Sequence, residues 1–418
     1  VTVQPIFESE PINPALERRN FPIFESADQH PALRYLDNAA TTHKPGAVID
    51  AITQCYAQCY GPIHRGLYPL AEQATSHYES ARRTLQHFIG AASPDELVFT
   101  RSATEAINMV ASGWLQPRLQ NGDVVWVSRM EHHSNYLPWQ RVCQQQGAEL
   151  RIIELTGDGQ LDLEGAPELF SERTKFIAIT HVSNVLGIEN PVAALCAMAN
   201  QHGIPVLVDA AQSVSHLEIK VAAMGCDFLA FSAHKMFGPT GIGLLYGKAE
   251  RLAGMAPFQV GGGMVDTVGI GNAPSQWTGI PACFEAGSPD MPGAVGFAAA
   301  ADYITGLGLW RVRKHIASLT RLAAERLLTI EGISLLPHAE LPASGIVSFT
   351  HRDLHPHDLA QIAGESGVAI RAGHHCAQPL LNHLGLAATA RASFSVYNDE
   401  SDVESLIAAI LSAEKVFL

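Results

Sequence analysis

The sequence predicts an α/β protein, with a mostly parallel sheet covered by helices and a smaller α+β domain after it. From about Tyr35 to about residue 300, short β-branched apolar runs alternate with amphipathic stretches of helix length. That is the pattern of parallel strands joined by helical crossovers. Beyond about residue 300 the alternation stops, and a long amphipathic segment leads into a few strands and a closing helix. The 418 residues are also too many for one small core.

In chain order, residues 1–34 read as an irregular arm that packs with the small domain. The segment 35–300 reads as the large domain and 301–418 as the small one. Seven runs qualify as strands of the large sheet: Leu97–Thr100, Val124–Ser128, Leu150–Glu154, Phe176–Thr180, Val206–Asp209, Phe228–Ser232 and Gly243–Tyr246. The small domain is expected to hold a helix over about Gly308–Glu331, strands near Ile346–Thr350 and Val368–Ala372, and a helix near Asp402–Val416. No internal repeat, low-complexity tract or flexible linker separates the two.

Composition narrows the function. With 27 basic against 41 acidic residues the formal charge is −14, a field that disfavours nucleic acid and anionic membrane as partners. The seven cysteines are odd in number and form no C-x-x-C pair, so neither a disulfide framework nor a zinc knuckle is indicated and a reducing cytoplasm fits best. Glu8, Glu10, Pro11 and Pro14 interrupt the start of the chain, which therefore reads neither as a secretory signal nor as a transit peptide. The chain opens on Val1 rather than Met, so its numbering need not begin at a translated start. No apolar stretch reaches the length of a membrane span.

The chemistry gathers where predicted strands end, which is where open α/β sheets bind ligands. Asp209 closes Val206–Asp209, and Lys235 follows Phe228–Ser232 in Ser232-Ala233-His234-Lys235. A lysine in an apolar context and a buried carboxylate are what pyridoxal phosphate (PLP) requires: an amine for the aldehyde and an anion facing the pyridinium nitrogen. The lesser alternative for Asp209 is a helix cap, and Lys235 could equally be a surface lysine. Ser102-Ala103-Thr104-Glu105 opens a helix, where free N–H groups favour a phosphate, although the same residues spell a capping box. Ser232 and His234 could add phosphate contacts, Gln212 and Asn184 could reach the ring hydroxyl, and His132 could stack on the ring and move protons. Arg371 and Arg391 lie near apparent strand edges, where a guanidinium could clamp a substrate carboxylate or form a structural ion pair. Cys376, in Arg371-Ala372-Gly373-His374-His375-Cys376-Ala377, is the candidate nucleophile. A metal reading of His374, His375 and Cys376 with His355 and His357 is the weaker alternative, because adjacent histidines converge poorly. No G-x-G-x-x-G follows a strand and no P-loop lysine is present.

Taken together, the motifs Tyr35–Thr42, His64-Arg65-Gly66, Glu131-His132-His133, His181–Asn184, Asp209–Gln212, Ser232–Lys235, Gly238–Gly241, Phe284–Gly287 and Arg371–Ala377 resemble those of group II cysteine desulfurases. These form the Suf/Csd branch of the class V aminotransferase-like PLP enzymes. The resemblance implies a PLP-dependent transferase fold of type I and a homodimer with its site at the subunit interface. It assigns Lys235 to the Schiff base, Asp209 to the pyridinium, Gln212 to the ring hydroxyl and His132 to ring stacking. Ala103, Thr104, Ser232 and His234 would hold phosphate. Arg391, helped by Arg371, Asn184 and His64, would take the substrate carboxylate. Ser288 stands where the family usually has threonine, reaching the partner's phosphate; Asp290 replaces a usual Asn. The run Cys376–Leu381 leans toward the Csd branch and the middle of the chain toward Suf.

The implied reaction takes L-cysteine to L-alanine, leaving sulfur as a persulfide on Cys376 for a SufE- or CsdE-like acceptor, for iron–sulfur cluster or other sulfur-cofactor assembly. Lys235 would take the α-proton and His132 would handle the thiol proton. Rival readings are a selenocysteine lyase or cysteine sulfinate desulfinase on the same fold, another class V enzyme for which Cys376 is incidental, and an idle sulfur-relay scaffold.

Overall fold

The computed structural model describes residues 11–25, 33–166 and 168–417; Glu8 and Glu10, weighed above, lie outside them. A seven-stranded sheet forms from β1 (Leu97–Thr100), β2 (Val124–Ser128), β3 (Glu149–Ile153), β4 (Thr174–Thr180), β5 (Val206–Asp209), β6 (Phe228–Ser232) and β7 (Gly243–Gly247). Its order is β1-β7-β6-β5-β4-β2-β3. The run β6-β5-β4-β2-β3 is parallel, and β7 is antiparallel to both neighbours.

The apolar runs are continuous because both faces are buried. In β2, Val124 and Trp126 join one core cluster while Val125 and Val127 join the other. Ile177 and Ile179 against Phe176 and Ala178 in β4 repeat this, as do Leu229 and Phe231 against Phe228 and Ala230 in β6. The edge strand β3 alone is largely solvent-facing, and its span sits one residue earlier than the sequence suggests. The antiparallel β7 is where a glycine is needed: a Cβ on Gly243 would stand 2.7 Å from the Ser102 backbone and 2.8 Å from the Phe231 carbonyl. Without a side chain there, β7 passes beneath the turn that starts α1 (Ala103–Met109).

A four-stranded antiparallel sheet follows, of β8 (Ile333–Leu335), β9 (Ile346–His351), β10 (Arg371–Gly373) and β11 (Thr389–Ser393) in the order β8-β9-β11-β10. The helices α2 (Leu309–Leu327) and α3 (Glu400–Phe417) bury their apolar faces on the same core as β9 and β11. Two expectations need correction. The strand expected over Val368–Ala372 is two pieces: Val368–Ala369 pairs in parallel with Arg34–Tyr35, and β10 pairs with β11, so the segment changes partner at Ile370. The arm is not irregular throughout. Pro14–Arg19 is a helix with proline in its first turn, and Asn13 Oδ1 accepts from the Ala15 and Leu16 N–H groups, a start signal built from residue types that favour that position. Phe21 of the arm packs against Phe237, Tyr303 and Tyr397, and Arg34 pairs with the buried Asp402 of α3.

Candidate active site

Five strand ends converge on one cavity of about 230 Å³. From β1 come Ser102, Ala103 and Thr104; from β2, His132 and Ser134; from β4, Thr180 and Asn184; from β5, Asp209 and Gln212; from β6, Ser232, His234 and Lys235. Arg371, His375, Cys376 and Arg391 close it from the other sheet.

The lower wall is set by the large sheet. Asp209 is buried, and its Oδ1 accepts the Ala211 N–H at 2.9 Å. Burial raises its pKa, opposed by that bond and by Lys235. Burial likewise pushes the Lys235 ammonium down to about 8, with Asp209 pulling it up and Arg391 pulling it further down. Lys235 Nζ makes no hydrogen bond among the described residues. Ser232 Oγ accepts the Ala103 N–H at 2.8 Å, so two of the predicted phosphate contacts hold each other in place. Thr104 Oγ1 lies 2.7 Å from Ser134 Oγ. Ser102 caps α1 by accepting from the Glu105 N–H at 3.3 Å, and Glu105 reaches back to the Arg101 N–H at 2.5 Å. The helix start therefore carries both the capping pattern and a cavity wall.

The surroundings of His132 bear on its expected proton-handling role. Its Nδ1 accepts the Ser134 N–H at 3.1 Å, so the ring proton sits on Nε2. Burial, followed by the charge on Lys235, lowers its pKa to about 3. The imidazole is thus a neutral hydrogen-bond donor at Nε2 in this structure. The neighbouring Glu131 is wholly buried, with its pKa raised to about 8 by burial against three donors: Ser128 Oγ, Asn135 Nδ2 and the Thr180 N–H. It bolts the ends of β2 and β4 together.

The opposite wall belongs to β10, β11 and the turn after β10. Register places Arg371 directly across from Arg391. Arg391 is buried; its Nη1 donates to the Asn184 carbonyl at 2.8 Å and its Nη2 to Asp37 Oδ1 at 3.2 Å, while its buried Nε has no partner among the described residues. His375 and Cys376 both adopt left-handed backbone angles, φ 49° and 57°, a conformation that costs about 1–3 kcal/mol for a non-glycine residue and persists only where its surroundings impose it. Here they do. Asn184 Nδ2 donates to the His375 carbonyl at 2.7 Å, the His133 N–H donates to the Cys376 carbonyl at 2.7 Å, and the His375 ring is tied to Thr389. Cys376 is the one partly exposed cysteine; the other six are buried.

Several predicted residues sit differently from expectation. Asn184 spends its amide on the cysteine turn, and Gln212 Nε2 donates to the Ala39 carbonyl at 2.9 Å. His64 lies outside this cavity and, with Ser288 (expected at the partner's phosphate rather than at this chain's own), lines a separate cleft of about 680 Å³ with Tyr60, Tyr68 and Leu70. His374 is exposed while His375 is buried, and His355 and His357 stack on each other elsewhere, so the four imidazoles and Cys376 do not converge on a metal. Asp37, Glu131, Ser134 and Thr389 were given no role by sequence, and His375 only one in the metal alternative. Glu131 and Ser134 flank His132 and could have been suspected as buried polar groups at a strand end, whereas nothing local marks Thr389.

The donor set fits pyridoxal phosphate. Hydroxyls of Thr104, Ser134 and Ser232 with the His234 imidazole suit a phosphate. Asp209 is the buried anion for a ring nitrogen, and Lys235 offers an unbonded amine of lowered pKa.

The model of the family "aminotransferase class-V" matches residues 34–406. The chain belongs to the class-V aminotransferase family. A probable cysteine desulfurase of Halalkalibacterium halodurans is 44% identical over 400 residues, 96% of this chain and 98% of that one. The crystal structure of the Escherichia coli cysteine desulfurase CsdA, in an S-sulfonic acid form, superimposes with a TM-score of 0.90 at 37% identity, covering 98% of this chain and all of that one. The apo cysteine desulfurase of Thermococcus onnurineus gives the same score and identity over 98% and 99% of the two chains. The cofactor of this class-V aminotransferase is pyridoxal phosphate, and its large sheet is that of the type I fold. Among the described residues no helix is long and apolar enough to cross a membrane.

Proposed function

We propose that the chain is a cysteine desulfurase that moves the sulfur of L-cysteine onto Cys376 as a persulfide and releases L-alanine. The observation that carries this reading is a single cavity with Lys235 and Asp209 on one wall and Arg391 and Cys376 on the other.

When bound, pyridoxal phosphate supplies an aldehyde for amines and an electron sink for charge developing at Cα. Lys235 would hold that aldehyde, Asp209 would face the ring nitrogen as its counter-anion, and Thr104, Ser134, Ser232 and His234 would hold the phosphate. Arg391, opposite Arg371, takes the substrate carboxylate. Lys235, its amine already biased toward the neutral form, takes the Cα proton. Cys376 Sγ then attacks the substrate sulfur. The S–S bond forms, the Cβ–S bond breaks, and its electron pair stays on carbon and ends as a C–H bond of alanine. Of the two thiol hydrogens that enter, on Cys376 and on the substrate, one ends on the alanine Cβ and the other stays with the persulfide, so the reaction needs no external oxidant or reductant.

The test is alanine and sulfide release from L-cysteine by the PLP-loaded protein under reductant, wild type against Cys376→Ser. Alanine from the wild type and almost none from the variant is expected. Equal turnover, or turnover of selenocysteine or cysteine sulfinate alone, overturns the reading in favour of a lyase.

The finer points belong to the same proposal. The working division is a cofactor domain over 35–300, a cysteine-bearing domain over 301–418 and an arm tied to the latter through Arg34 and Asp402. A partly exposed Cys376 suits collection by a SufE- or CsdE-type acceptor in the cytoplasm, for iron–sulfur cluster or other sulfur-cofactor assembly. A homodimer is supported by Leu67 and Ile270, 97% and 93% exposed, and by the apolar cleft that holds His64 and Ser288 away from the chain's own cavity. Sedimentation equilibrium showing only monomer would remove the dimer.

A further inference from the structure

His375 is a buried imidazole that the reaction scheme above leaves unused. Its Nε2 lies 3.2 Å from the Thr389 carbonyl, which can only accept, and 3.0 Å from Thr389 Oγ1. Nε2 therefore carries the ring proton, and the bond points into β11. Thr389 and Arg391 are two residues apart on that strand, so their side chains share a face. Cys376 is the residue after His375, in the same left-handed turn. The His375–Thr389 bond is thus a short mechanical link between the group that holds a substrate's carboxylate and the sulfur that must reach the substrate's other end. The remaining ties on the turn run to the large domain: Asn184 to the His375 carbonyl and His133 to the Cys376 carbonyl. Asn184 also accepts from Arg391 Nη1, and the backbone ladder pairs Gly373 with Thr389 just before the turn; among the described residues the His375–Thr389 bond is the direct side-chain hydrogen bond from the turn itself to the strand of Arg391. Burial, with Arg391 and Arg371 nearby, lowers the pKa of His375 to about 3, so the ring stays a neutral donor across the working range.

We propose that His375 is a positioning residue that sets the span from Arg391 to Cys376 Sγ, and so favours substrates whose sulfur must be attacked over those whose leaving group departs unaided. This rests on the desulfurase reading of Cys376. Cysteine requires the attack: Cys376 Sγ bonds the substrate sulfur as Cβ–S breaks. Cysteine sulfinate does not, because SO₂ leaves without the bonding pair, which remains on Cβ and takes a proton to give alanine. A turn that wanders therefore penalises the first substrate alone. A misplacement of about 1 Å can cost a reaction about 10²-fold.

The experiment measures kcat/KM for L-cysteine and for L-cysteine sulfinate in the PLP-loaded wild type, His375→Ala, His375→Gln, Thr389→Val and Cys376→Ser. Beside these, the alkylation rate of Cys376 by iodoacetamide is followed; with the other six cysteines buried, it reports on this thiol. In His375→Ala the cysteine-to-sulfinate ratio is expected to fall about 10²-fold, and alkylation to quicken several-fold as the turn loosens. His375→Gln, which keeps an N–H donor for Thr389, recovers most of the ratio. Thr389→Val, which keeps the carbonyl and loses the hydroxyl, shifts the ratio the same way by less and serves if His375→Ala does not fold. An unchanged ratio with unchanged alkylation in His375→Ala overturns the inference, as does an equal loss for both substrates. If Cys376→Ser still desulfurates cysteine, the desulfurase reading fails instead; if Cys376→Ser is dead and the His375→Ala ratio is that of the wild type, only the positioning role fails.

Discussion

The two walls of the cavity are held by different means. On the large-sheet side, each side chain hangs from the end of a strand whose position is fixed by two buried faces, and the ends are cross-linked: Ala103 to Ser232, Thr104 to Ser134, and Glu131 to Thr180. On the small-sheet side, Cys376, the proposed nucleophile, rides on two left-handed residues held by three polar contacts, and Arg391, the proposed carboxylate clamp, is anchored through Asn184 and Asp37. A wall built from strand ends tolerates the loss of one contact. A wall built on a strained turn and a buried guanidinium does not, because each removed partner leaves a buried polar group or an uncompensated charge.

The largest expected effect is therefore on the small-sheet wall. Arg391→Lys keeps the charge but loses the planar fork that bonds the Asn184 carbonyl and Asp37 at once. With L-cysteine, kcat/KM is expected to fall about 10²–10³-fold, the value of a charge-assisted bidentate contact plus its buried neighbours. Steady-state kinetics check this. A loss below threefold would mean that Arg371 carries the carboxylate, and the contrast between the walls would weaken.

The walls also pull on one amine in opposite directions. Asp209 raises the Lys235 pKa and Arg391 lowers it, around a value of about 8 set first by burial. Only the neutral amine attacks an aldehyde. Cofactor uptake by the apoprotein, followed by absorbance, should therefore rise about tenfold per pH unit below about 8 and level off above it. The sign of each wall follows. Asp209→Asn removes the group that favours the ammonium, so the break moves to lower pH; Arg391→Gln removes a repelling charge, so it moves to higher pH. If both variants moved the break the same way, Lys235 would not lie between the two fields.

Legibility followed the same divide. All seven strands of the large sheet and most of the cavity residues at their ends, though not Glu131 or Ser134, could be read from sequence, because strand, turn and chemistry follow one another within a few residues, as in Val206–Asp209 with Gln212 and in Phe228–Ser232 with Lys235. The small-sheet wall was legible only as single residues. That Arg371 faces Arg391 is a matter of register between β10 and β11, and that Thr389 holds His375 joins residues fourteen apart through a side chain. No local pattern encodes either. His132 is a third case: its motif gives the residue, but its protonation follows from the Ser134 N–H and from burial, which a motif does not report.

The smallest effect tests the tolerance of the large-sheet wall. Ser134→Ala deletes the hydroxyl that meets Thr104 Oγ1 at 2.7 Å and His132 Nδ1 at 3.0 Å. The Ser134 backbone N–H stays, so the His132 tautomer is preserved, and Ser232 still braces Ala103. One neutral hydrogen bond at a partly exposed site is worth about 0.5–1.5 kcal/mol. PLP affinity of the apoprotein, titrated by fluorescence quenching, should weaken only about threefold to tenfold, with kcat for L-cysteine nearly unchanged. A loss as large as that of Arg391→Lys would mean that Ser134 is itself a principal phosphate ligand and that the hydroxyl, not the strand end, holds this wall.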